Sequence, residues 1–126
     1  MFWGWEVPER RLRILIIEDE MLVAMNIEDM LLDLGHEVAG LAGRLDAALS
    51  LAREAEFDLA MLDVNLAGET SFPVAAVLAE RSIPFLFATG YGAKGIAEEY
   101  RDRPVLQKPF RAQDLHAMLR DSFGQA

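Results

Sequence analysis

The stretch LRILIIEDE, residues 12–20, joins a mostly apolar run to three consecutive carboxylates. Residues 12–17 are rich in β-branched and aliphatic side chains, which indicates a buried strand. A desolvated carboxylate costs several kcal/mol unless a partner neutralises it. Glu18, Asp19 and Glu20 therefore either stay solvated and cap the helix that follows, or hold a cation.

The same succession of a short apolar run and a longer helical stretch continues along the chain. Strands are predicted at 12–17, 37–42, 57–64, 83–89 and 104–107. Helices are predicted at 20–34, 44–56, 71–82 and 110–123, with a short, Gly-weakened one at 93–101. Gly35 suits a helix C-cap and Ser71 a helix N-cap. Alternating strands and helices imply a parallel sheet with helices on both faces.

Composition limits the classes of protein that fit. The 126 residues are enough for one domain with a hydrophobic core, and the net charge of −9 argues against nucleic-acid binding. The chain has no cysteine, which excludes disulfides and thiolate metal sites. Its apolar runs are too short to span a bilayer, and its start is unlike a secretory signal. These features predict a cytoplasmic domain that binds neither nucleic acid nor membrane.

Polar residues follow or end four of the predicted strands. Glu18 and Asp19 follow the first strand, Asp63 ends the third, Thr89 ends the fourth and Lys108 follows the fifth. Ligands of parallel α/β sheets bind at the carboxyl ends of the strands, so these side chains are expected to converge. Clustered carboxylates suit Mg²⁺, and a carboxylate can attack phosphorus to form an aspartyl-phosphate.

Each of these residues alone has an ordinary structural interpretation. Acids before a helix usually favour its N-terminus, and Asp63 could simply form a loop. Thr89 could cap the next segment, and Lys108 could be a solvated surface charge. Their shared location on one edge of one sheet is what favours a functional site.

The motifs resemble those of a known family. IIEDE (16–20), LDVNLAG (62–68), FATGYG (87–92) and QKPF (107–110) are similar to the motifs of response regulator receiver domains. The resemblance covers about residues 12–123 and implies the flavodoxin-like, CheY-like fold. That fold has a doubly wound five-stranded parallel sheet in the order 2-1-3-4-5, here with a shortened fourth helix. Residues 1–126 are then a single receiver domain with an N-terminal extension at 1–11.

The resemblance also implies a metal site. Asp19 and Asp63 would ligate Mg²⁺ directly, with the backbone carbonyl of Asn65 as a third protein ligand. Glu18 would act through a bound water, and Mn²⁺ could replace Mg²⁺.

The phosphoryl group would be held by residues on three strands. The resemblance makes Asp63 the phosphoacceptor, with Thr89 turning its hydroxyl and Lys108 its ammonium toward the phosphoryl oxygens. The Lys108–Pro109 peptide bond is expected to be cis. Asn65 and Tyr91 match positions that influence the lifetime of the phosphoryl group.

One position departs from the family pattern. Many receivers carry an aromatic switch residue three places before the lysine, where this chain has Val105. Tyr91 is a candidate to replace that switch residue. Gly90, Gly92 and Gly95 permit many backbone angles, so residues 91–100 are predicted to become ordered on phosphorylation.

The partner implied by the resemblance is a sensor histidine kinase, which would meet the first helix. PFLFATGYG (84–92) resembles the FATGUY subgroup, which is associated with kinases of the HWE or HisKA2 class. The fourth and fifth segments would be the output surface. No output domain is expected after the fifth helix, so the protein would act on an unknown partner or drain phosphoryl groups as a sink.

Two other classes remain as alternatives. A Mg²⁺-dependent aspartate-nucleophile phosphatase or phosphotransferase would use similar residues, but the haloacid dehalogenase type needs a D-x-D motif and a cap. A receiver-like module that no longer takes phosphate would not need the complete site. His36 and His116 are interpreted as surface or packing residues, and Trp3 and Trp5 as packing against the domain rather than a partner.

Overall fold

A computed structural model of the protein describes residues 11–123, which carry the whole alternation of strands and helices. The predictions for Trp3 and Trp5 fall outside the described residues. Within residues 11–123, no helix is both long enough and apolar enough to cross a membrane.

The central sheet has five parallel strands in the order β2-β1-β3-β6-β7. They are β1 (Arg13–Ile17), β2 (Glu37–Ala42), β3 (Leu59–Leu62), β6 (Phe85–Thr89) and β7 (Val105–Gln107). Two further strands, β4 (Asn65–Leu66) and β5 (Glu69–Thr70), form a separate antiparallel hairpin. Numbered among the five long strands alone, the order is 2-1-3-4-5, which confirms the predicted flavodoxin-like fold.

Four α-helices cover the two faces of the sheet. They are α1 (Met21–Asp33), α2 (Leu45–Glu54), α3 (Phe72–Glu80) and α4 (Ala112–Ser122). Side chains of β1 alternate between the faces: Ile14 and Ile16 pack in the core under α1 and α4, whereas Leu15 and Ile17 pack under α2 and α3. Burial on both faces is why the strands read as continuous apolar runs.

The helix ends follow the predicted caps only in part. Gly35 ends α1 with a φ of +91°, a conformation that glycine adopts readily, and its N–H donates to the Leu32 carbonyl at 3.0 Å. Ser71 occupies the N-cap position of α3, but its side chain makes no capping hydrogen bond. Its hydroxyl is buried without a hydrogen-bond partner.

The short, Gly-weakened helix predicted at 93–101 is confirmed as a shortened segment. It consists of two 3₁₀ helices, Gly92–Gly95 and Glu98–Tyr100, rather than one α-helix. Each glycine inside an α-helix costs about 1 kcal/mol relative to alanine, and so short a segment cannot offset that cost.

Two buried side chains anchor this segment. Ile96 and Tyr100 belong to the core cluster on the α3 side of the sheet. The Tyr100 ring lies 5.9 Å from the rings of Phe72 and Phe85 and 6.3 Å from that of Phe87, measured between centroids. The expected gain of order on phosphorylation therefore concerns mainly the residues before Ile96, and it stays a prediction.

His36 has a structural environment. It is buried, and its Nδ1 accepts a hydrogen bond from the backbone N–H of Leu12 at 3.0 Å. Burial lowers the pKa of His36, and the charges of His116 and Arg11 lower it further. These contacts agree with a packing role.

Candidate functional site

The predicted site residues meet at the carboxyl edge of the sheet because the hydrogen-bond ladders continue just past the strands. The N–H of Asp63 donates to the carbonyl of Ile17 at 2.8 Å, beyond the end of β3. The N–H of Lys108 donates to the carbonyl of Thr89 at 2.9 Å, beyond the end of β7. The backbone positions of the site are therefore fixed by the sheet itself.

Lys108 bridges two of the acids. Its Nζ donates to Glu18 Oε1 at 2.7 Å and lies 3.4 Å from Asp63 Oδ2. Partial burial works against its charge, but the hydrogen bond to Glu18 and the negative charge of Asp63 prevail and raise the pKa of Lys108. The peptide bond between Lys108 and Pro109 is cis, as predicted.

Glu18 is the most deeply buried acid of the site, with 3% of its surface exposed. Its Oε2 accepts a hydrogen bond from the N–H of Glu20 at 3.1 Å. Burial raises the pKa of Glu18 to about 7, although the hydrogen bonds from Lys108 and Glu20 oppose that rise. The ammonium of Lys108 favours the ionised form of this carboxylate, and burial opposes it.

Asp19 is exposed and held by the hairpin. Its Oδ2 accepts a hydrogen bond from the N–H of Ala67 at 3.0 Å. Slight burial raises its pKa, but the bond from Ala67, aided by the Glu18 and Asp63 side chains, lowers the pKa of Asp19 overall. Ala67 and Gly68 have φ values of +51° and +91°, the left-handed angles that a tight two-residue hairpin turn requires.

Thr89 is buried at the end of β6 and faces the start of the next loop. Its Oγ1 accepts a hydrogen bond from the N–H of Tyr91 at 3.1 Å. The Tyr91 side chain is 75% exposed. Val105, at the position of the family's aromatic switch, packs against the core cluster on the α3 side.

A cleft of about 410 Å³ opens over these residues. Its lining includes Asp19, Asp63, Asn65, Thr89, Tyr91 and Lys108. Glu18 lies outside the lining and reaches the site through Lys108. The structure thus brings together every residue that the sequence predicted for the site, apart from Pro109, which follows Lys108 and lines a neighbouring groove.

Two contributors to the site have no role in the family resemblance. Glu20 lines the cleft, in agreement with its place in the acidic run as a candidate to hold a cation, although the resemblance gives it no role as a ligand. The N–H of Ala67 was missed because a backbone donor leaves no signal in the side-chain pattern. Gly68 was the available sign of a turn there.

The donor set fits a hard divalent cation. One carboxylate oxygen from each of Glu18, Asp19 and Glu20 lies within 4.8 Å of the others. Asp63 adds a fourth carboxylate beside Lys108. Mg²⁺ prefers oxygen ligands and needs only one or two protein carboxylates, with water completing its shell.

Comparison with known proteins gives the family. Residues 14–120 match the model described as the response regulator receiver domain. The chain belongs to the response regulator receiver family. This result favours a receiver over the aspartate-nucleophile phosphatase that the same residue types could have formed.

Particular relatives differ in length. The solution structure of SdrG from Sphingomonas melonis Fr1 is 45% identical, with a TM-score of 0.78, and the match covers 86% of this chain and 93% of that one. The transcriptional regulatory protein PdtaR of Mycobacterium tuberculosis is 34% identical over 107 residues, 82% of this chain and 52% of that protein. The phyllosphere-induced regulator PhyR of Methylorubrum extorquens is 34% identical over 111 residues, 84% of this chain and 41% of that protein. The chain therefore spans about half or less of these two curated relatives.

Proposed function

We propose that the protein accepts a phosphoryl group on Asp63 from the phosphohistidine of a sensor histidine kinase. The observation that carries the proposal is the position of Lys108, whose Nζ lies 3.4 Å from Asp63 Oδ2 in a cleft that opens beside Thr89. A fixed ammonium beside a cleft-lining carboxylate is suited to stabilise negative charge on a transferred phosphoryl group.

The transfer replaces one bond to phosphorus by another. An oxygen of Asp63 attacks the phosphorus of phosphohistidine, an O–P bond forms, and the P–N bond breaks with its electron pair going to the ring nitrogen. Lys108 pairs with a phosphoryl oxygen, and the Thr89 hydroxyl donates to another. The same site later admits water for autodephosphorylation, so the protein is a self-catalysed phosphoacceptor rather than an enzyme with a separate substrate.

A divalent cation, Mg²⁺ or Mn²⁺, would be held by Asp19, Asp63 and the backbone carbonyl of Asn65, with Glu18 acting through a water. When bound, it would neutralise charge on the phosphoryl oxygens. The lowered pKa of Asp19 supports this assignment, because that carboxylate is ionised and available at neutral pH. Tyr91, which lines the cleft, would modulate the lifetime of the phosphoryl group together with Asn65.

The exposed side of α1 is the proposed docking surface for the kinase. Leu22 is 82% exposed, Met21 63% and Met25 50%. Leu22 also lines an apolar groove that runs to Lys108, Pro109 and Phe110. A kinase helix with an apolar face would fill this groove and bring its phosphohistidine to Asp63. The FATGUY-like motif supports a kinase of the HWE or HisKA2 class.

The receiver would act in the cytoplasm either by binding a partner or by draining phosphoryl groups. SdrG supports the first role. The solution structure of the BeF₃-activated conformation of SdrG from Pseudomonas melonis Fr1 is of a chain 46% identical to this one. BeF₃ mimics a phosphoryl group, so this related receiver has an activated conformation.

Phosphotransfer from a purified kinase tests the proposal. A radiolabelled HisKA2 or HWE kinase domain should pass its label to the wild-type protein within minutes and leave an Asp63→Asn variant unlabelled. A Glu98→Gln variant, changed at an exposed acid away from the cleft, is the matched control and should be labelled like the wild type. Equal labelling of the Asp63→Asn variant would overturn the assignment of the acceptor.

A further inference from the structure

The peptide unit between Gly90 and Tyr91 is held at both of its polar ends. Its carbonyl, on Gly90, accepts a hydrogen bond from Gln107 Nε2 at 2.9 Å. Its N–H, on Tyr91, donates to Thr89 Oγ1 at 3.1 Å. Because a peptide unit is rigid and planar, the first bond fixes the direction from which the second approaches the Thr89 hydroxyl.

We infer that Gln107 is a positioning residue for Thr89, acting through this peptide unit. The inference rests on the proposed function, in which the Thr89 hydroxyl contacts the phosphoryl group. Gln107 does not touch the reacting atoms. It holds the Gly90 carbonyl, the attached Tyr91 N–H then holds Thr89 Oγ1, and the hydroxyl is kept in one rotamer at the edge of the cleft.

The surroundings of Gln107 are built for this contact. Gln107 is the last residue of β7 and pairs in register with Thr89, the last residue of β6. Gly92 leaves room for the carboxamide: a side chain at that position would begin 3.2 Å from Gln107 Oε1, on a backbone whose φ of +65° already disfavours one. The Gln107 side chain thus links the end of β7 to the loop, and the Gly90–Tyr91 peptide unit links that loop to Thr89.

Gln107 also offers a connection from β7 that does not depend on an aromatic residue. The family's aromatic switch position is Val105, two residues earlier, which has neither a ring nor a hydroxyl and packs into the core. The side chain of Val105 therefore cannot hydrogen-bond to the loop that follows Thr89. Gln107 can, because it points a donor at that loop from the same strand.

The test separates loss of the hydrogen bond from loss of volume. Gln107→Met keeps the length of the side chain but has no donor, whereas Gln107→Lys keeps a donor that can reach the Gly90 carbonyl. Gln113→Met is the matched control, because Gln113 is exposed on α4 and does not line the cleft. Each variant is made alone, and Gln107→Met is also made in a Thr89→Ala background.

Two readouts are taken, of which only the second depends on phosphoryl transfer. NMR measures the three-bond couplings that report the Thr89 side-chain rotamer and the hydrogen exchange of the Tyr91 amide. The initial rate of phosphorylation by acetyl phosphate with Mg²⁺ is measured by intact mass. If the wild type takes up no phosphate, the proposed function fails, and the NMR couplings still decide the role of Gln107.

Gln107→Met is expected to average the Thr89 couplings and to raise Tyr91 amide exchange roughly threefold to tenfold, the range that one neutral hydrogen bond supports. The phosphorylation rate should fall by a similar factor, Gln107→Lys should recover most of it, and Gln107→Met should add nothing in the Thr89→Ala background. Unchanged couplings and exchange in Gln107→Met would overturn the inference. The inference would also be overturned if Gln107→Met lowered the phosphorylation rate by the same factor in the wild-type and Thr89→Ala backgrounds.

Discussion

The ammonium of Lys108 and the carboxylate of Glu18 form a 2.7 Å hydrogen bond between residues 90 positions apart in the chain. The pair joins the end of β7 to the end of β1 across the carboxyl edge of the sheet. Because Glu18 is buried, its ionised form depends on the ammonium beside it. The pair is a structural link and also belongs to the proposed site of phosphoryl transfer.

Removing the Lys108 ammonium while Glu18 stays in place should therefore destabilise the fold. Lys108→Met is expected to lower the free energy of unfolding by about 2 kcal/mol, less than a fully buried pair would lose because 18% of the Lys108 side chain is exposed. Urea unfolding at pH 7.5 measures the loss. Adding Glu18→Gln should restore part of the stability, since the most deeply buried carboxylate is then gone and only the partly exposed Asp63 has lost its partner.

Lys94→Met is the control for this pair, because Lys94 is exposed and should change the unfolding free energy by less than about 0.5 kcal/mol. Equal losses in the single Lys108→Met variant and the double variant would contradict the interpretation of the pair.

The left-handed backbone of Ala67 predicts an unusual response to glycine. A left-handed backbone costs an L-residue about 1–2 kcal/mol of folded-state stability, and it costs a glycine almost nothing. Glycine offsets part of this gain, because its greater freedom stabilises the unfolded chain. Ala67→Gly is expected to raise the free energy of unfolding by about 0.5 kcal/mol. Ala76→Gly, in the middle of α3, should lower it by about 1 kcal/mol.

Thermal or urea unfolding of these two variants checks the sign of each change. Two losses of similar size would show that the hairpin turn at Ala67 is not strained.

Because His36 is buried, its contribution to the free energy of unfolding should decrease in acid. Its pKa is lowered in the fold by burial and by His116 and Arg11, so below about pH 6.5 the unfolded chain binds the proton first. The contribution of His36 to the free energy of unfolding should be largest above pH 6.5 and fall on acidification by at most about 1.4 kcal/mol per pH unit. Glu18, whose pKa is raised to about 7, contributes a slope of the opposite sign, so the His36 contribution is the difference between the wild type and a His36 variant.

Urea unfolding between pH 5 and 8 measures this slope. His36→Gln should remove the contribution, and His116→Gln should reduce it without abolishing it. A His36→Gln variant that keeps the wild-type pH slope would rule out His36 as its source.

A variant on the apolar face of α1 should distinguish docking of the kinase from the chemistry of phosphoryl transfer. Leu22→Ser should slow transfer from the kinase about tenfold or more, because Leu22 is the most exposed apolar side chain of that face. Uptake from acetyl phosphate should not change, since the small donor needs no docking surface. Ala76→Ser, on α3, is a control for both reactions. A Leu22→Ser variant slowed equally with both donors would indicate damage to the site instead.

The strands and the site at their ends could be predicted because each signal is strong and local. The sequence between 14 and 17 is apolar on both faces of the sheet, and such runs end at or just before Glu18, Asp63, Thr89 and Lys108. Parallel topology then brings them to one edge. Their roles in phosphoryl transfer remain proposals.

The features that were mispredicted or missed depend on the backbone or on contacts distant in sequence. The two-residue strands β4 and β5 are too short to show a period, so the region read as a loop. Gly92 and Gly95 signalled a weak helix but not its conversion to 3₁₀ geometry. The contact of Gln107 with Gly90 spans 17 residues and involves a backbone carbonyl, which no pattern of side chains reveals.

The most direct test of the central claim is the intact mass of the protein after incubation with Mg²⁺ and acetyl phosphate. The wild type and the control Asp102→Asn, changed at an exposed site, should each gain one phosphoryl group, and Asp63→Asn should gain none. EDTA should abolish the gain. A gain that persists in Asp63→Asn, or no gain in a wild-type protein that binds Mg²⁺, would contradict phosphorylation of Asp63.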